Sequence, residues 1–284
     1  MRSPSCWRKK IKIIDLHVHS VHSDGTSTVG EIVRAARRRR VSVMALTDHD
    51  TIDGWEVFRD TCVKCSIRPV MGVELSSKFS RTAHILGYRM RRLEPLEDSL
   101  SSMRDSRRRR NERMLELLTD LGLGLSMKDV ESEAGGSIVA RPHFASALVK
   151  KGYVSDAQSA FSKYLGRGAL AYAARDGLSP ADCVSVVKDA GGLPVLAHPS
   201  LTGFSAGELG EFLEDLKSHG LWGLECISSH CSPEDAYEFL AIAGEHGLFP
   251  TAGSDFHGSI RPNATLGVQV SDNFLPWARL GVSL

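Results

Sequence analysis

The sequence predicts an α/β barrel wrapped by helices and interrupted by a helical insertion. Two observations predict the barrel. Short apolar, β-branched runs alternate with longer amphipathic stretches, the rhythm of parallel strands with helices outside. Histidines and carboxylates gather where those runs end, as they do when strand ends share one face of a barrel. A third observation predicts the insertion: a long middle segment has helical patterning and no convincing strand.

Taken in order, the strand candidates are residues 11–18, 41–48, 68–75, 83–88, 193–199, 222–228 and 248–254. Between the first two, "TVGEIVRAARRRR" places Val29, Ile32, Val33 and Ala36 on one helical face. "PADCVSVVKDAGG" has Pro180 near a helix start and paired glycines at its end. "PEDAYEFLAIAGEHG" repeats that plan, with Pro233 opening and Gly247 closing. The expected organisation is a first barrel part over 11–97, a helical substrate cap over 98–176, and a second barrel part over 177–284.

Composition narrows the field. At 284 residues and 42% hydrophobic, the chain can bury one large core or two modest ones. A formal net charge of +1 singles out no partner. The basic residues are clustered, however, as "RAARRRR" (34–40) and "RDSRRRRNER" (104–113). The first run reads as the wet end of a helix; the second, at the start of the insertion, is the better candidate for tracking phosphates. No apolar run is long enough for a membrane span, and the basic N-terminus lacks the apolar segment of a signal peptide. A cytoplasmic, reducing location is the expectation for the six cysteines, with no obligate protein partner evident. Cys62 and Cys65 form a C-x-x-C without a second ligand pair, and read as ordinary thiols on a helix.

The chemistry lies in "DLHVHSVHSDG", "LTDHDT", "GVELS", "AHILGY", "LAHP" and "GSDFHG". His17 and His19 stand two apart after the first strand and so share a face. Asp24 follows in a turn, and His49 comes just after the second strand. Glu74 ends the third strand, His84 lies in the fourth, and His198 ends the fifth. Asp255 and His257 follow the last. Imidazoles and carboxylates suit zinc, manganese or iron. Paired metal ions clamp a phosphate and lower the pKa of a bound water, so a bridging hydroxide is the expected nucleophile.

These six segments, in this order, resemble the signatures of the PHP (polymerase and histidinol phosphatase) superfamily from Ile14 to about Gly267. The resemblance implies a distorted (β/α)7 barrel with two to three divalent ions, manganese expected, zinc or iron possible. It implies that His17, His19, Glu74 and Asp255 hold one ion. Glu74 bridges to a second, held with His84 and His198. Asp24, His49 and His257 hold the third. The segment "ARPHFASALVKKGYVSDAQSAFSKYLGRGALAY" is similar to the insert of the branch acting on nucleoside 3′,5′-bisphosphates and short RNA 5′ ends. There the matching Arg141 and His143 grip phosphate, as a guanidinium fork does well. The implied activity is loss of a 3′-phosphate, 5′-to-3′ degradation of short RNA, or both. A histidinol-phosphate-type phosphatase and a non-catalytic nucleic-acid-binding module are the alternatives. No phosphate-binding Walker loop or G-x-S-x-G elbow is present.

Several neighbours keep two readings. His230, past the sixth strand, is either a substrate contact or a loop residue. His22 is expected to stay outside the ligand set. Asp15 and Asp48 either orient imidazoles or have a plain structural role. Asp50 is a candidate helix cap. Glu225, a carboxylate inside a strand, is left without a role.

Overall fold

The computed structural model describes residues 11–134, 138–271 and 274–282. Eight strands form one curled sheet in the order β7-β6-β5-β4-β3-β2-β1-β8. They are β1 (Ile11–Asp15), β2 (Val41–Leu46), β3 (Arg68–Ser76), β4 (His84–Tyr88), β5 (Leu193–Leu196), β6 (Gly223–Ile227), β7 (Phe249–Ala252) and β8 (Val268–Ser271). Just beyond β1 and β7 the ends of the sheet meet. Leu16 N donates to Ala252 O at 3.1 Å, and His19 N to Phe256 O at 2.9 Å. A near-closed barrel results.

The expectation of uniformly parallel strands is corrected at two places. β4 runs antiparallel to both β3 and β5, and β8 runs antiparallel to β1. The reason for β4 is chain length. Residues 77–83 make a short connection, whereas a parallel return needs a dozen residues or more. His84 therefore opens its strand, opposite Ser76 at the end of β3. That reversal brings an N-terminal strand end to the rim where the parallel strands finish. β8 was not anticipated; it covers the free edge of β1.

The outer helices are α1 (Val29–Arg38), α2 (Trp55–Lys64), α3 (Leu93–Asp120), α4 (Met127–Glu131), α5 (Arg141–Lys150), α6 (Ala157–Ala160), α7 (Pro180–Asp189), α8 (Ala206–Ser218) and α9 (Pro233–Glu245). Their starts follow local chemistry. Thr28 and Glu31 close a capping box on α1, whose buried face is Val29, Ile32, Val33 and Ala36. Ser179 and Ser232 cap α7 and α9 ahead of a proline at the first helical position.

α3 belongs to two cores. Leu96, Leu100 and Met103 pack with Val184 and Val187 of α7 against the barrel. Met114 and Leu118, further along, join Phe144, Leu148 and Leu165 in a separate apolar cluster. The expected 97/98 boundary thus falls inside one continuous helix. Among the described residues no strand lies between β4 and β5. The arginine run in α3 splits at helical spacing: Arg107 and Arg110 are buried, while Arg108 and Arg109 face solvent. Arg37 to Arg40 are exposed.

Closure of the barrel rests on a contact that admits no side chain. A Cβ on Gly253 would lie 2.3 Å from His17 Cβ and 2.5 Å from His17 N. Gly253→Ala is expected to lower stability by about 2 kcal/mol or more, the upper range for overpacking. A thermal melt of the metal-free protein reads this directly.

Candidate metal centre

Each ligand-type side chain is delivered by a strand end held by its own hydrogen bonds. The Asp48 carboxylate accepts from Ser20 N and Oγ at 2.7 Å and from Ser23 Oγ at 2.6 Å, folding the loop that carries Asp24. Asp15 accepts from Ser254 N at 2.8 Å, Ser254 Oγ at 2.6 Å and Gly267 N at 2.8 Å, tying β1 to the segment before Asp255. Asp15 and Asp48 thus tie loops and touch no imidazole ring. His198 and Asp255 both sit at positive φ (28° and 51°), so the chain bends sharply as each side chain turns inward.

Glu74 is the hub. Its Oε2 lies 3.1 Å from His17 Nε2, 3.0 Å from His19 Nε2 and 3.3 Å from His49 Nδ1. Its Oε1 lies 2.8 Å from His84 Nδ1 and 3.0 Å from His198 Nε2. Five imidazoles therefore meet one carboxylate that is 1% exposed. Asp255 Oδ1 stands 3.3 Å from His17 Nε2 and 3.2 Å from His19 Nε2. Asp24 Oδ1 is 3.2 Å from His257 Nε2, and Asp24 Oδ2 is 3.8 Å from His49 Nε2.

The nine sequence-predicted residues are all in this one cluster. Three groups have ligand atoms close enough for a shared ion: His17, His19, Glu74 and Asp255; His19, Asp24, His49 and His257; and His49, Glu74 and His84. The first matches its expected set. The second adds His19 to the expected trio. The third has His49 in the place expected for His198, although His198 shares Glu74 Oε1 with His84. His22 is in none of them.

The donor set fits divalent cations. Buried His19 Nδ1 and Nε2, His198 Nδ1, His257 Nε2, Asp24 Oδ1 and Asp255 Oδ1 make no hydrogen bond in the structure. Buried polar atoms rarely go unsatisfied, and cation ligation would satisfy these. The electrostatics agree. Burial alone would push the Glu74, Asp24 and Asp255 carboxyls up, but the surrounding imidazoles hold all three well below the usual range. Burial works against protonated imidazole too. At His17 the Glu225, Asp255 and Glu74 carboxylates outweigh it, and at His19 Asp255 and Glu74 raise the ring to about 9. At His49 burial wins, and the ring falls to about 3.

Glu225 is the residue whose role the sequence left open. Its Oε1 meets His17 Nδ1 at 3.0 Å, and its Oε2 accepts from His198 N at 2.7 Å. It turns His17 Nε2 toward Glu74 and fixes the bend at His198, as carboxylates behind metal-binding imidazoles do. The signal for it was an ionisable group in a buried strand.

Beside the histidines lies a cationic pocket. Asp50 does not cap α2, which Gly54 precedes; its Oδ2 instead accepts from Arg107 Nη2 and from Arg175 Nη1 at 3.0 Å. Arg107 Nη2 also reaches Ser76 Oγ at 2.9 Å, and that hydroxyl is 3.3 Å from His49 Nδ1. Arg141 donates to Ala173 O at 3.0 Å and lies over the Tyr172 ring. Arg110 is 5% exposed, and its Nε and Nη2 have no partner among the described residues; nor do Arg107 Nε and Arg141 Nε. Burial, together with the neighbouring guanidinium groups, lowers Arg110, Arg141 and Arg175 from their ordinary values. His143 is buried, its Nδ1 accepts from Ala140 N at 3.1 Å, and burial lowers its ring from the ordinary value, partly offset by Asp24. Arg175 was not singled out in the sequence, where it is an isolated arginine in a loop. His230 Nε2 meets Asp255 Oδ2 at 2.7 Å at the rim.

The comparisons agree with this geometry. The chain matches the PHP domain over residues 15–129. It is 34% identical over 254 residues to the 3′,5′-nucleoside bisphosphate phosphatase of Chromobacterium violaceum, covering 86% of this chain and 87% of that one. It is 30% identical over 249 residues to the 5′-3′ exoribonuclease Rnm of Escherichia coli, covering 86% and 85%. Among solved structures, an amidohydrolase from Chromobacterium violaceum with bound sulfate and no metal superposes with a TM-score of 0.85. That match has 31% identity and covers 94% of this chain and 95% of the other.

Two outcomes follow from the centre. Because His17 and His19 hold protons near neutral pH and ligation needs neutral rings, metal binding releases protons. Affinity should therefore rise as the pH rises through about 9, where His19 gives up its proton. Calorimetry in two buffers of different ionisation enthalpy counts the protons. Glu225→Gln should weaken metal affinity roughly 10–100-fold, the usual cost of losing a carboxylate behind a ligand; a competing chelator measures it.

Proposed function

This chain belongs to the PHP family, and from that premise we propose that it is a metal-dependent phosphohydrolase of nucleoside 3′,5′-bisphosphates and short 5′-phosphorylated RNA. The observation that carries the reading is the adjacency of two built features. A carboxylate-bridged histidine cluster shares the Ser76 hydroxyl with a pocket of arginines that has Asp50 as its recorded carboxylate partner. The first suits divalent ions; the second suits a phosphate dianion.

His17, His19, Asp24, His49, Glu74, His84, His198, Asp255 and His257 would hold two to three ions, manganese by preference, zinc and iron having the same ligand tastes. Such ions, when bound, supply an activated water and neutralise charge on phosphoryl oxygens. The protein's own groups do the rest. Glu74, Asp255 and Asp24 offset the cations' mutual repulsion, and Glu225 sets the His17 ring. Arg141 and His143, with Arg107 and Arg175, anchor the phosphate that is not cleaved. His230 stands at the rim beside Asp255, on the substrate side. In the net reaction a water oxygen bonds to phosphorus and the ester bond to the ribose oxygen breaks. The ribose oxygen gains a proton; from the bisphosphate orthophosphate departs, and from RNA the phosphate stays on the shortened chain as its new 5′ end while a nucleoside 5′-monophosphate departs.

The two curated relatives named above act on a nucleoside bisphosphate and as a 5′-3′ exoribonuclease, and one anchor for a 5′-phosphate serves both substrates. No helix among the described residues is long and apolar enough to cross a membrane. The described cysteines, Cys62, Cys65, Cys183, Cys226 and Cys231, are all free thiols, in keeping with a cytoplasmic setting.

Phosphate release from adenosine 3′,5′-bisphosphate and from histidinol phosphate, and nucleoside 5′-monophosphate release from a short 5′-phosphorylated RNA, after metal reconstitution, test the reading. Arg141→Ala should lower kcat/KM for the bisphosphate about 10–100-fold, as losing a hydrogen bond to a charged group does. Preference for the histidinol ester would overturn the substrate. Salt-sensitive RNA binding with no product from any substrate would overturn the enzyme.

A further inference from the structure

Asp255 divides its two oxygens between two surroundings. Oδ1 faces the histidine cluster, 3.2 Å from His19 Nε2, 3.3 Å from His17 Nε2 and 3.4 Å from His257 Nδ1. Oδ2 faces the rim, where it meets His230 Nε2 at 2.7 Å and accepts from Arg261 Nη1. Arg261 Nη1 is also 2.9 Å from His230 Nε2. The arginine follows a 3-10 turn, Gly258–Ile260, pinned to the Asp24 loop: Ser259 N donates to Thr26 Oγ1 at 2.9 Å. Its side chain is 36% exposed, and its recorded side-chain bonds all use Nη1.

A permanent cation beside this carboxylate opposes metal binding electrostatically. Coulomb's law sets the guanidinium against any ion on the Asp255 oxygens, and Arg cannot shed its charge. What gains from positive charge at the rim is an anion. The arginine pocket that anchors the uncleaved phosphate lies elsewhere, against Asp50, Ser76 and His49. Arg261 stands by Asp255 and His230. The histidine cluster touches both groups, through His49 on the Ser76 side and through Asp255 on the other.

We propose that Arg261 is a catalytic residue that receives the non-bridging oxygens of the phosphoryl group being cleaved. With Asp255 among the residues that would hold an ion, its carboxylate would hold Nη1 less firmly, and the guanidinium is already partly in solvent. Its planar fork then meets two phosphoryl oxygens, with donors to spare for the charge that builds as the ester bond breaks. The inference rests on the phosphohydrolase reading and adds a residue to it. The substrate class it implies is a phosphomonoester presented to the rim by a second, anchored phosphate.

The test compares wild type with Arg261→Ala and Arg261→Lys in two measurements. In the first, the metal-free proteins are titrated with manganese. The alanine variant should bind as tightly as wild type or more tightly, since a repulsive charge is gone. In the second, the metal-loaded proteins turn over adenosine 3′,5′-bisphosphate. The alanine variant should lose about 10²–10³ in kcat with little change in KM, the usual cost of removing one transition-state donor. Lysine, which keeps the charge without the fork, should recover part of the loss. A weakened manganese affinity would make Arg261 a support for Asp255 and overturn the proposal, as would an unchanged kcat. Failure of the phosphohydrolase reading is distinguishable, because wild type itself would then release no phosphate.

Discussion

Everything at this centre depends on keeping one negative charge where water cannot reach it. Glu74 is buried in the barrel mouth, and an ionised carboxylate there is costly unless it is fully partnered. Five imidazoles partner it, drawn from four different segments of the chain. The compensation runs both ways, because His17 and His19 hold protons only while the carboxylates face them. The site is thus an unfinished charge balance, with unsatisfied nitrogen and oxygen atoms pointed at a shared space. A second imbalance, of the opposite sign, stands beside it in the buried arginines. The proposed function follows from the pair: cations would answer the first and a phosphate the second.

The antiparallel β4 shows how the fold serves this balance. A barrel of uniformly parallel strands supplies ligands only from strand ends and the loops after them. Reversing one strand offers a first residue instead, and His84 takes that place opposite Ser76. The Ser76 amide, at the end of β3, donates to Asp50 at 2.9 Å and so joins the histidine side to the arginine side. One short connection therefore sets where His84 enters the histidine cluster.

Much of this was legible in the residues. The seven first strands, the capped helices and the nine ligand-type side chains all announce themselves through local pattern, since alternation, capping serines and paired histidines act over a few residues. What escaped was what depends on distant partners. The direction of β4 follows from a connection too short for a crossover, a length that was visible but not used. Glu225 gains its meaning from His198 and from His17, the latter more than two hundred residues away. Arg175 is one basic residue among many until Asp50 is seen between it and Arg107. Asp50 itself looked like a cap because short polar residues before helices usually are. The split of the arginine run into buried and solvent-facing pairs is, by contrast, plain helical arithmetic once the helix is granted.

The long helix α3 carries Arg107 and Arg110 midway between its two apolar clusters. A continuous helix is a stiff strut, and this one is gripped at both ends by packed side chains. The distance of Arg107 and Arg110 from each cluster is therefore a matter of covalent length and helical rise, like marks on a ruler. The two guanidinium groups accordingly sit at fixed heights between the barrel core and the insertion core.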